Sequence, residues 1–164
     1  MEQDLEKFVE DLALFFEGNG FPRIAGRILG LLLVCDPPYR SAGELADELH
    51  VSKASVSTMT RMLLSGGLIE RVGVPGKRAT YFGTTTDGFE RRFELVIRVF
   101  AAFRPLADRG LRILETRGPE RTERLRALRA MYGFWEREMP SILNKWRAER
   151  VRLVAEDSYD SPRD

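Results

Sequence analysis

Hydroxyl and basic side chains are concentrated in two stretches of the chain, at 52–61 and 71–78. Such groups donate hydrogen bonds to phosphate oxygens, and short polar side chains can approach base edges in a major groove. Between Lys53 and Arg78 there are five bases and one acid, Glu70, so five minus one gives a local charge of +4, whereas the whole chain carries only +1. These residues therefore favour nucleic-acid binding through a local patch. The patch consists of Ser52, Lys53, Ser55, Ser57, Thr58, Arg61, Arg71, Lys77 and Arg78.

Two short capped helices are predicted to position the first stretch. Ser41 and Glu44 form a capping-box pattern that opens a helix over 42–49, and Ser52 is the N-cap of the next helix. His50 stands in the turn between them, where histidine tolerates a left-handed backbone. This order is a helix-turn-helix, and its second helix is the predicted recognition helix. Inward positions of that helix follow the helical period and leave its polar face outward; they are Val56, Met59, Thr60 and Leu63.

A β-hairpin is predicted to position the second stretch. Strands are expected over 68–72 and 79–83, and the Pro75-Gly76 pair between them fits a type II turn. Lys77 and Arg78 then lie at or beside the hairpin tip, which is a good place to contact phosphate or a minor groove. The predicted fold class is mainly α with a small β-hairpin wing: a winged helix-turn-helix with N- and C-terminal dimerisation helices.

Five different segments of the chain contain motifs that are also found in a known family. They are 20–30 (GFPRIAGRILG), 41–46 (SAGELA), 52–57 (SKASVS), 67–71 (GLIER) and 75–78 (PGKR). Together they resemble the MarR-type winged-helix regulators, and most closely the GbsR-like branch, named for a repressor of glycine betaine synthesis. The resemblance implies a homodimeric bacterial or archaeal transcription factor, often a repressor that a small molecule relieves.

The chain is predicted to form one domain over 1–155, followed by a disordered polar tail at 156–164. Within that domain the winged helix-turn-helix part spans 21–86, flanked by dimerisation helices at 1–20 and 87–155. These flanking helices carry more apolar surface than one small winged helix could cover, and a homodimer would bury it. A two-fold dimer spaces two recognition helices by roughly 34 to 36 Å and reads a near-palindromic site.

Glycines and prolines indicate further details of the flanking segments. Gly26 and Gly30 lie one helical turn apart, so another helix can approach closely there. Pro105 is expected to kink or interrupt the helix that begins near 87, and Pro140 is expected to begin or kink the last helix. The acidic N-terminal helix is expected to pack on the C-terminal helices or on a second subunit rather than on DNA.

Predicted DNA contacts extend beyond the patch to Ser41 and Arg27. For Arg27 a phosphate contact is the functional interpretation, and a solvated helix face is the alternative. The bases of the patch have the same alternative, a soluble surface, but a Pro-Gly hairpin tip next to a predicted recognition helix favours DNA.

Catalysis and metal binding are not supported by the residue types present. His50 is the only histidine and Cys35 the only cysteine, so one chain cannot build a zinc cluster, a histidine-based triad or a disulfide framework. No enzyme, cofactor or metal is therefore predicted. Cys35 is interpreted as a small buried hydrophobe, with oxidant sensing, as in some MarR-type proteins, as the alternative. The lack of a signal peptide or long apolar span predicts a soluble cytoplasmic protein without a membrane partner.

Aromatic residues in the later helices suggest an effector site. The GbsR-like branch includes regulators of choline and betaine metabolism, and aromatic cages bind quaternary ammonium groups. Phe103, Tyr132 and Trp135 are the candidate effector-binding residues. The alternative is core packing, because Tyr132 and Trp135 lie on the same helical stripe as two leucines.

The residues and the resemblance together predict a sequence-specific DNA-binding transcriptional regulator. It is expected to act as a homodimeric repressor that binds double-stranded DNA at a near-palindromic operator. A small-molecule effector is expected to relieve the repression. The alternative is a winged-helix protein–protein interaction module without DNA binding. An acidic or apolar recognition face would favour that alternative, and the sequence shows neither.

Overall fold

The computed structural model of the chain describes residues 3–84, 86–114 and 119–160, and it is mainly helical with one small antiparallel sheet. This confirms the predicted fold class. The elements, in chain order, are α1 (Gln3–Gly18), α2 (Arg23–Val34), β1 (Arg40–Ser41), α3 (Ala42–Glu48), α4 (Lys53–Ser65), β2 (Glu70–Val72), β3 (Tyr81–Gly83), α5 (Thr86–Leu114) and α6 (Pro119–Asp160).

The chain forms two compact units, the first ending at Arg92 and the second beginning at Phe93. The predicted single domain over 1–155, with a winged-helix part at 21–86 between dimerisation helices at 1–20 and 87–155, stays a prediction.

Helix α2 is the centre of the first unit. Its sequence is almost entirely apolar, and α1, α4 and β3 all contact it. Burying a leucine or isoleucine side chain of this kind contributes about 1.5–3 kcal/mol, so this cluster is the main stabilising core of the unit. Fully buried members are Ile28, Leu29, Leu31 and Leu32 from α2, with Val9, Leu45, Leu49, Val56 and Leu63 from the surrounding elements.

Helices α1 and α2 approach closely at two glycines. The sequence predicted a close helix approach at these glycines but did not identify α1 as the helix, which was expected on the C-terminal helices or a second subunit. A Cβ atom added to Gly26 would lie only 2.7 Å from the Cα atom of Ala13, and one added to Gly30 would lie 3.3 Å from the Cα atom of Val9. Any side chain at position 26 would therefore push the two helices apart.

The helix-turn-helix is held by the predicted capping groups. Ser41 Oγ accepts a hydrogen bond from the Glu44 N–H at 3.2 Å, and Glu44 Oε2 accepts from the Ser41 N–H at 2.6 Å, which confirms the capping box. His50 has φ of 53°, so the turn uses the left-handed conformation expected there. Ser52 Oγ accepts from the Ser55 N–H at 3.1 Å and thereby begins α4.

We expect the substitution Ser52→Ala to lower the free energy of unfolding by about 1 kcal/mol, because the Ser55 N–H loses its side-chain acceptor. Urea unfolding of the purified protein measures this. Ser57→Ala, an exposed serine in the same helix, is the control and should change stability by less than about 0.5 kcal/mol. Equal losses in the two variants would contradict the capping role.

The wing is a three-stranded sheet rather than a simple hairpin. Strand β3 lies between β1 and β2 and is antiparallel to both, with Arg40 opposite Phe82 and Val72 opposite Tyr81. The sequence did not predict β1, which is only two residues long and gains its partner from a distant part of the chain.

Both predicted wing strands are shorter than expected, 70–72 and 81–83 instead of 68–72 and 79–83. Leu68 is used differently, because its N–H donates to the Leu63 carbonyl at 3.0 Å and closes the C-terminal end of α4. Residues 79 and 80 lie beyond the end of β2, which pairs only as far as Val72 opposite Tyr81.

The second unit contains the remainder of α5 and the helix α6, which pack antiparallel. Arg147 donates to Glu94 and Arg129 donates to Asp108, each at 2.5 Å, so the start of this part of α5 lies beside the later part of α6. Gly110 allows the contact, because a Cβ atom there would lie 2.7 Å from Leu125 Cδ2.

The two prolines of the late helices do not end them. Helices α5 and α6 continue through Pro105 and Pro140, so Pro105 does not interrupt a helix and Pro140 does not begin one. Both prolines are exposed, where the carbonyl group one turn earlier can bond to water instead of to the missing N–H.

Helix α6 also extends to Asp160, past the predicted start of a disordered tail at 156. Arg152 contacts both Glu149 and Glu156 along the helix, and such pairs stabilise an exposed helical end. Positions 161–164 of the predicted tail lie outside the described residues.

Candidate nucleic-acid interface

The outward face of α4 is polar and accessible. Lys53, Ser57, Thr58 and Arg61 are exposed, whereas the inward positions are buried or half-buried. One predicted contact, Ser55, is half-buried, and its Oγ lies 2.8 Å from Ser52 Oγ. Ser52 and Ser55 therefore form the start of the helix. The exposed surface of the helix consists of Lys53, Ser57, Thr58 and Arg61.

Arg61 is partly oriented by its own helix. Its Nε donates to the carbonyl of Ser57 at 3.2 Å, which directs the side chain along the exposed face. An arginine that is oriented in this way loses less conformational entropy when it binds, and its planar fork suits a guanine edge or a phosphate.

The tip of the wing is a tight turn that leaves two bases exposed. The Lys77 N–H donates to the Val74 carbonyl at 3.1 Å, and Gly76 has φ of 76°, as the predicted type II turn requires. Lys77 and Arg78 are both exposed, and so is Arg71 on β2. The buried side chains of Tyr81 and Phe82 attach the hairpin to the core behind these bases.

Glu70, the only acid between Lys53 and Arg78 in the sequence, is already paired. Glu70 Oε2 accepts a hydrogen bond from Arg91 at 2.8 Å, so its negative charge is offset from within the first unit. The exposed bases of α4 and the wing consequently present a positive surface, although the whole chain is nearly neutral.

Two predicted contacts beside the motif have intramolecular partners. Ser41 is half-buried and forms the capping box of α3. Arg27 lies 2.5 Å from Glu10 on α1, and Arg23 lies 2.9 Å from the same carboxylate. The hydrogen bond from Arg23 lowers the pKa of Glu10, as does the charge of Arg27, although partial burial opposes them. Glu10 therefore remains a strong competitor for the Arg27 side chain at neutral pH.

The candidate effector residues are only partly brought together. The ring centroids of Phe103 and Tyr132 are 4.2 Å apart, and Phe100 meets Tyr132 edge to face at 5.3 Å. Trp135 pairs instead with Phe134 at 5.2 Å. Rings at these distances contact one another directly, which is the geometry of core packing rather than of a cation held between two rings. Effector binding by these residues stays a prediction.

Cys35 has the surroundings of a structural cysteine. It is half-buried at the C-terminal end of α2, and its Sγ donates to the Leu32 carbonyl at 3.9 Å. Burial raises the pKa of the thiol, and the nearby charge of Arg40 opposes this. A raised pKa lowers the thiolate fraction and hence the reactivity toward oxidants.

Within residues 3–84, 86–114 and 119–160, no group of three or more histidine, cysteine or carboxylate side chains could hold a metal ion. No helix in these ranges is long and apolar enough to cross a membrane.

Sequence reasoning did not identify the residues that fix the geometry of this surface. Arg40 and Glu48 join β1 to the end of α3, and Arg91 holds Glu70 on the wing. These pairs are separated by 8 and 21 positions in the chain, and no local pattern indicates them.

Two family models match the chain in adjacent segments. A model of the MarR family matches residues 19–79, and a model described as MmpR5-like MarR family transcriptional regulator matches residues 87–149. The first match contains both α4 and the tip of the wing, and the second contains most of α5 and α6.

Relatives are similar over nearly the whole length of the chain. The HTH-type transcriptional regulator MmpR5 of Mycobacterium tuberculosis is 41% identical over 145 residues, which cover 88% of each chain. A crystal structure of a transcriptional regulator, 40% identical, superposes with a TM-score of 0.81 and covers 88% of this chain and 99% of its own. The fold and its helical flanks are therefore shared, and not the winged helix alone.

Proposed function

Because the chain belongs to the MarR family of transcriptional regulators, we propose that it acts as a homodimeric repressor at a near-palindromic operator. Membership of this family makes the chain a DNA-binding regulator and not an enzyme. In the proposed complex α4 enters the major groove, and the wing contacts the backbone or the minor groove. A cytoplasmic location follows from this role, since the protein acts on chromosomal DNA.

One observation supports the proposed DNA surface most strongly. The exposed face of α4 is short and polar, and it belongs to the same compact unit as three exposed bases of the wing. Short side chains permit close approach to base edges, while the bases neutralise phosphates. The proposed contacts are Lys53, Ser57, Thr58, Arg61, Arg71, Lys77 and Arg78, with Ser52 and Ser55 at the start of α4 and Ser41 and Arg27 as outer contacts.

Exposed apolar side chains support the homodimer. On α1, Leu5, Phe8 and Phe15 are 37%, 43% and 62% exposed, although the opposite side of that helix packs on α2. Isolated proteins rarely expose so many large apolar groups together, and a subunit interface buries them. The second unit exposes a further set: Phe93, Val99, Leu106, Ile113, Met131, Phe134, Ile142, Val151 and Val154.

A footprinting experiment tests this proposal. DNase I digestion of the DNA upstream of the gene should show two protected half-sites, centred about one helical turn apart. One chain has a mass of 18.8 kDa, and light scattering of the free protein should give twice that mass. A monomer in solution, or a footprint over a single half-site, would contradict the dimer.

The proposal also includes a small-molecule effector and the GbsR-like branch of the family. A small molecule that binds the DNA-competent and DNA-incompetent states with different affinity would relieve repression. The GbsR-like resemblance suggests a quaternary ammonium compound at Phe103, Tyr132 and Trp135. If millimolar choline and glycine betaine changed neither the melting temperature nor the affinity for operator DNA, this effector class would be excluded.

A further inference from the structure

The side chain of Arg40 makes several hydrogen bonds within the first unit. Its Nε donates to Glu48 Oε1 at 2.6 Å, and its Nη1 donates to the carbonyl groups of Pro37 and Tyr39, each at 2.9 Å. Its Nη2 lies 3.4 Å from the carbonyl of Asp36. The Arg40 side chain is only 16% exposed, whereas its partner Glu48 is 36% exposed, so this cluster lies at the edge of the unit.

Both ends of α3 are attached to the same short strand. Ser41, the last residue of β1, is also the N-cap of α3. Arg40, the other residue of β1, binds Glu48, the last residue of α3. The orientation of α3 is consequently fixed by β1, and α3 in turn packs on α4 through the buried side chains of Leu45 and Leu49.

The same strand is attached to the wing. Arg40 pairs with Phe82, and Ser41 pairs with Tyr81, on the central strand β3. Behind β3 the chain is tightly packed, because a Cβ atom on Gly83 would lie 2.8 Å from the carbonyl oxygen of Pro38. The segment 36–40 is therefore a junction between the helix-turn-helix on one side and the wing on the other.

We propose that Arg40 and Glu48 are positioning residues for DNA recognition, which fix the wing relative to α4 without contacting DNA themselves. This inference rests on the proposed function. The bound operator requires the wing bases and the α4 face to reach their sites at the same time. A looser junction lets the wing sample orientations in which Lys77 and Arg78 miss their phosphates, so affinity falls although every contacting side chain is present.

The guanidinium group is suited to this role, whereas a lysine is not. Its planar fork donates to a carboxylate and to backbone carbonyl groups in different directions at the same time. An ammonium group at position 40 could replace only part of these bonds.

A double-mutant cycle tests the inference through Glu48, because its removal leaves the other bonds of Arg40 in place. We expect Glu48→Ala to weaken operator binding about tenfold, even though the variant has one negative charge fewer and simple electrostatics would favour binding. In a background that carries Lys77→Ala and Arg78→Ala, the same change should cost less than about twofold, since the tip of the wing no longer has bases to position. All four proteins are measured at one low salt concentration by fluorescence anisotropy.

Asp47→Ala is the matched control, because it removes an exposed acid of the same helix one position away. It should leave operator affinity unchanged or slightly higher. Thermal unfolding of each variant verifies that the fold is retained, and Glu48→Gln, which keeps the side-chain length, should show a smaller loss in the same direction.

Equal losses in the two backgrounds would overturn the inference, and so would unchanged or tighter binding by Glu48→Ala. In both cases wild-type protein still binds its operator, and the proposed function stands. Wild-type protein that bound no operator would overturn the proposed function and this inference with it.

Discussion

Replacing Lys77 and Arg78 with alanine is expected to weaken operator binding about 100-fold near physiological salt. Both bases are exposed at a turn that holds them away from the core, so their loss should not affect folding. A dimer carries two wings, and the double substitution therefore removes four phosphate contacts. The slope of log affinity against log salt should become less steep by about 3 to 4, because fewer counterions are released.

A variant with the same change in charge controls for non-specific electrostatics. Lys7 and Lys145 are exposed lysines on α1 and α6, outside the proposed DNA surface. The double substitution Lys7→Ala and Lys145→Ala should leave affinity within about threefold of wild type, since screening limits long-range effects. Comparable losses in the two double variants would show that overall charge, and not the wing, determines binding.

The second large effect concerns the packing of α1 on α2. We expect Gly26→Val to lower the free energy of unfolding by roughly 2–4 kcal/mol, since its Cβ atom would lie far inside contact distance of Ala13. Relief of the overlap requires the two helices to separate, which exposes the core around Ile28 and Leu29. Urea unfolding followed by circular dichroism measures the change.

Gly18 supplies the control for that substitution. A Cβ atom at Gly18 has no neighbour within 4 Å, and the residue ends α1. Gly18→Ala should therefore be neutral or stabilising by up to about 1 kcal/mol, as alanine favours helix more than glycine does. If Gly26→Val and Gly18→Ala had the same free energy of unfolding, the close approach of α1 and α2 would be contradicted.

The parts of the fold that were predictable are those fixed by local bonds. The capping serines at 41 and 52, the left-handed His50 and the Pro-Gly turn each satisfy backbone groups within a few residues, so the sequence alone indicates them. Strand β1 was missed because its pairing with β3 depends on residues about 40 positions away, and the short apolar pattern of a strand is absent.

At the two prolines, local sequence rules predicted a disturbance of the helices, but the structure shows continuous helices. Pro105 and Pro140 disfavour a helix by themselves, but long helices packed along their length tolerate one missing hydrogen bond at an exposed position. The packing of Phe103 on Tyr132, and the ion pairs that join α5 to α6, supply that tertiary support.

For the candidate site, helical spacing was sufficient to find the exposed face of α4, and turn chemistry was sufficient to find the wing tip. The partners of the bases were not predictable, since Glu10 reaches Arg27, and Glu48 reaches Arg40, only in the folded chain. Those partners distinguish bases that are exposed for a ligand from bases that are engaged within the protein.

Fluorescence anisotropy across a salt series tests the central claim most directly. The protein is titrated into a labelled duplex from its own upstream region and into a scrambled duplex of the same length. We expect the upstream duplex to bind at least about 100-fold more tightly, with a salt slope of roughly −5 to −7 if each half of a dimer neutralises three or four phosphates. Failure to bind either duplex at low salt, or equal affinity for both, would contradict a sequence-specific regulator that reads DNA through α4 and the wing.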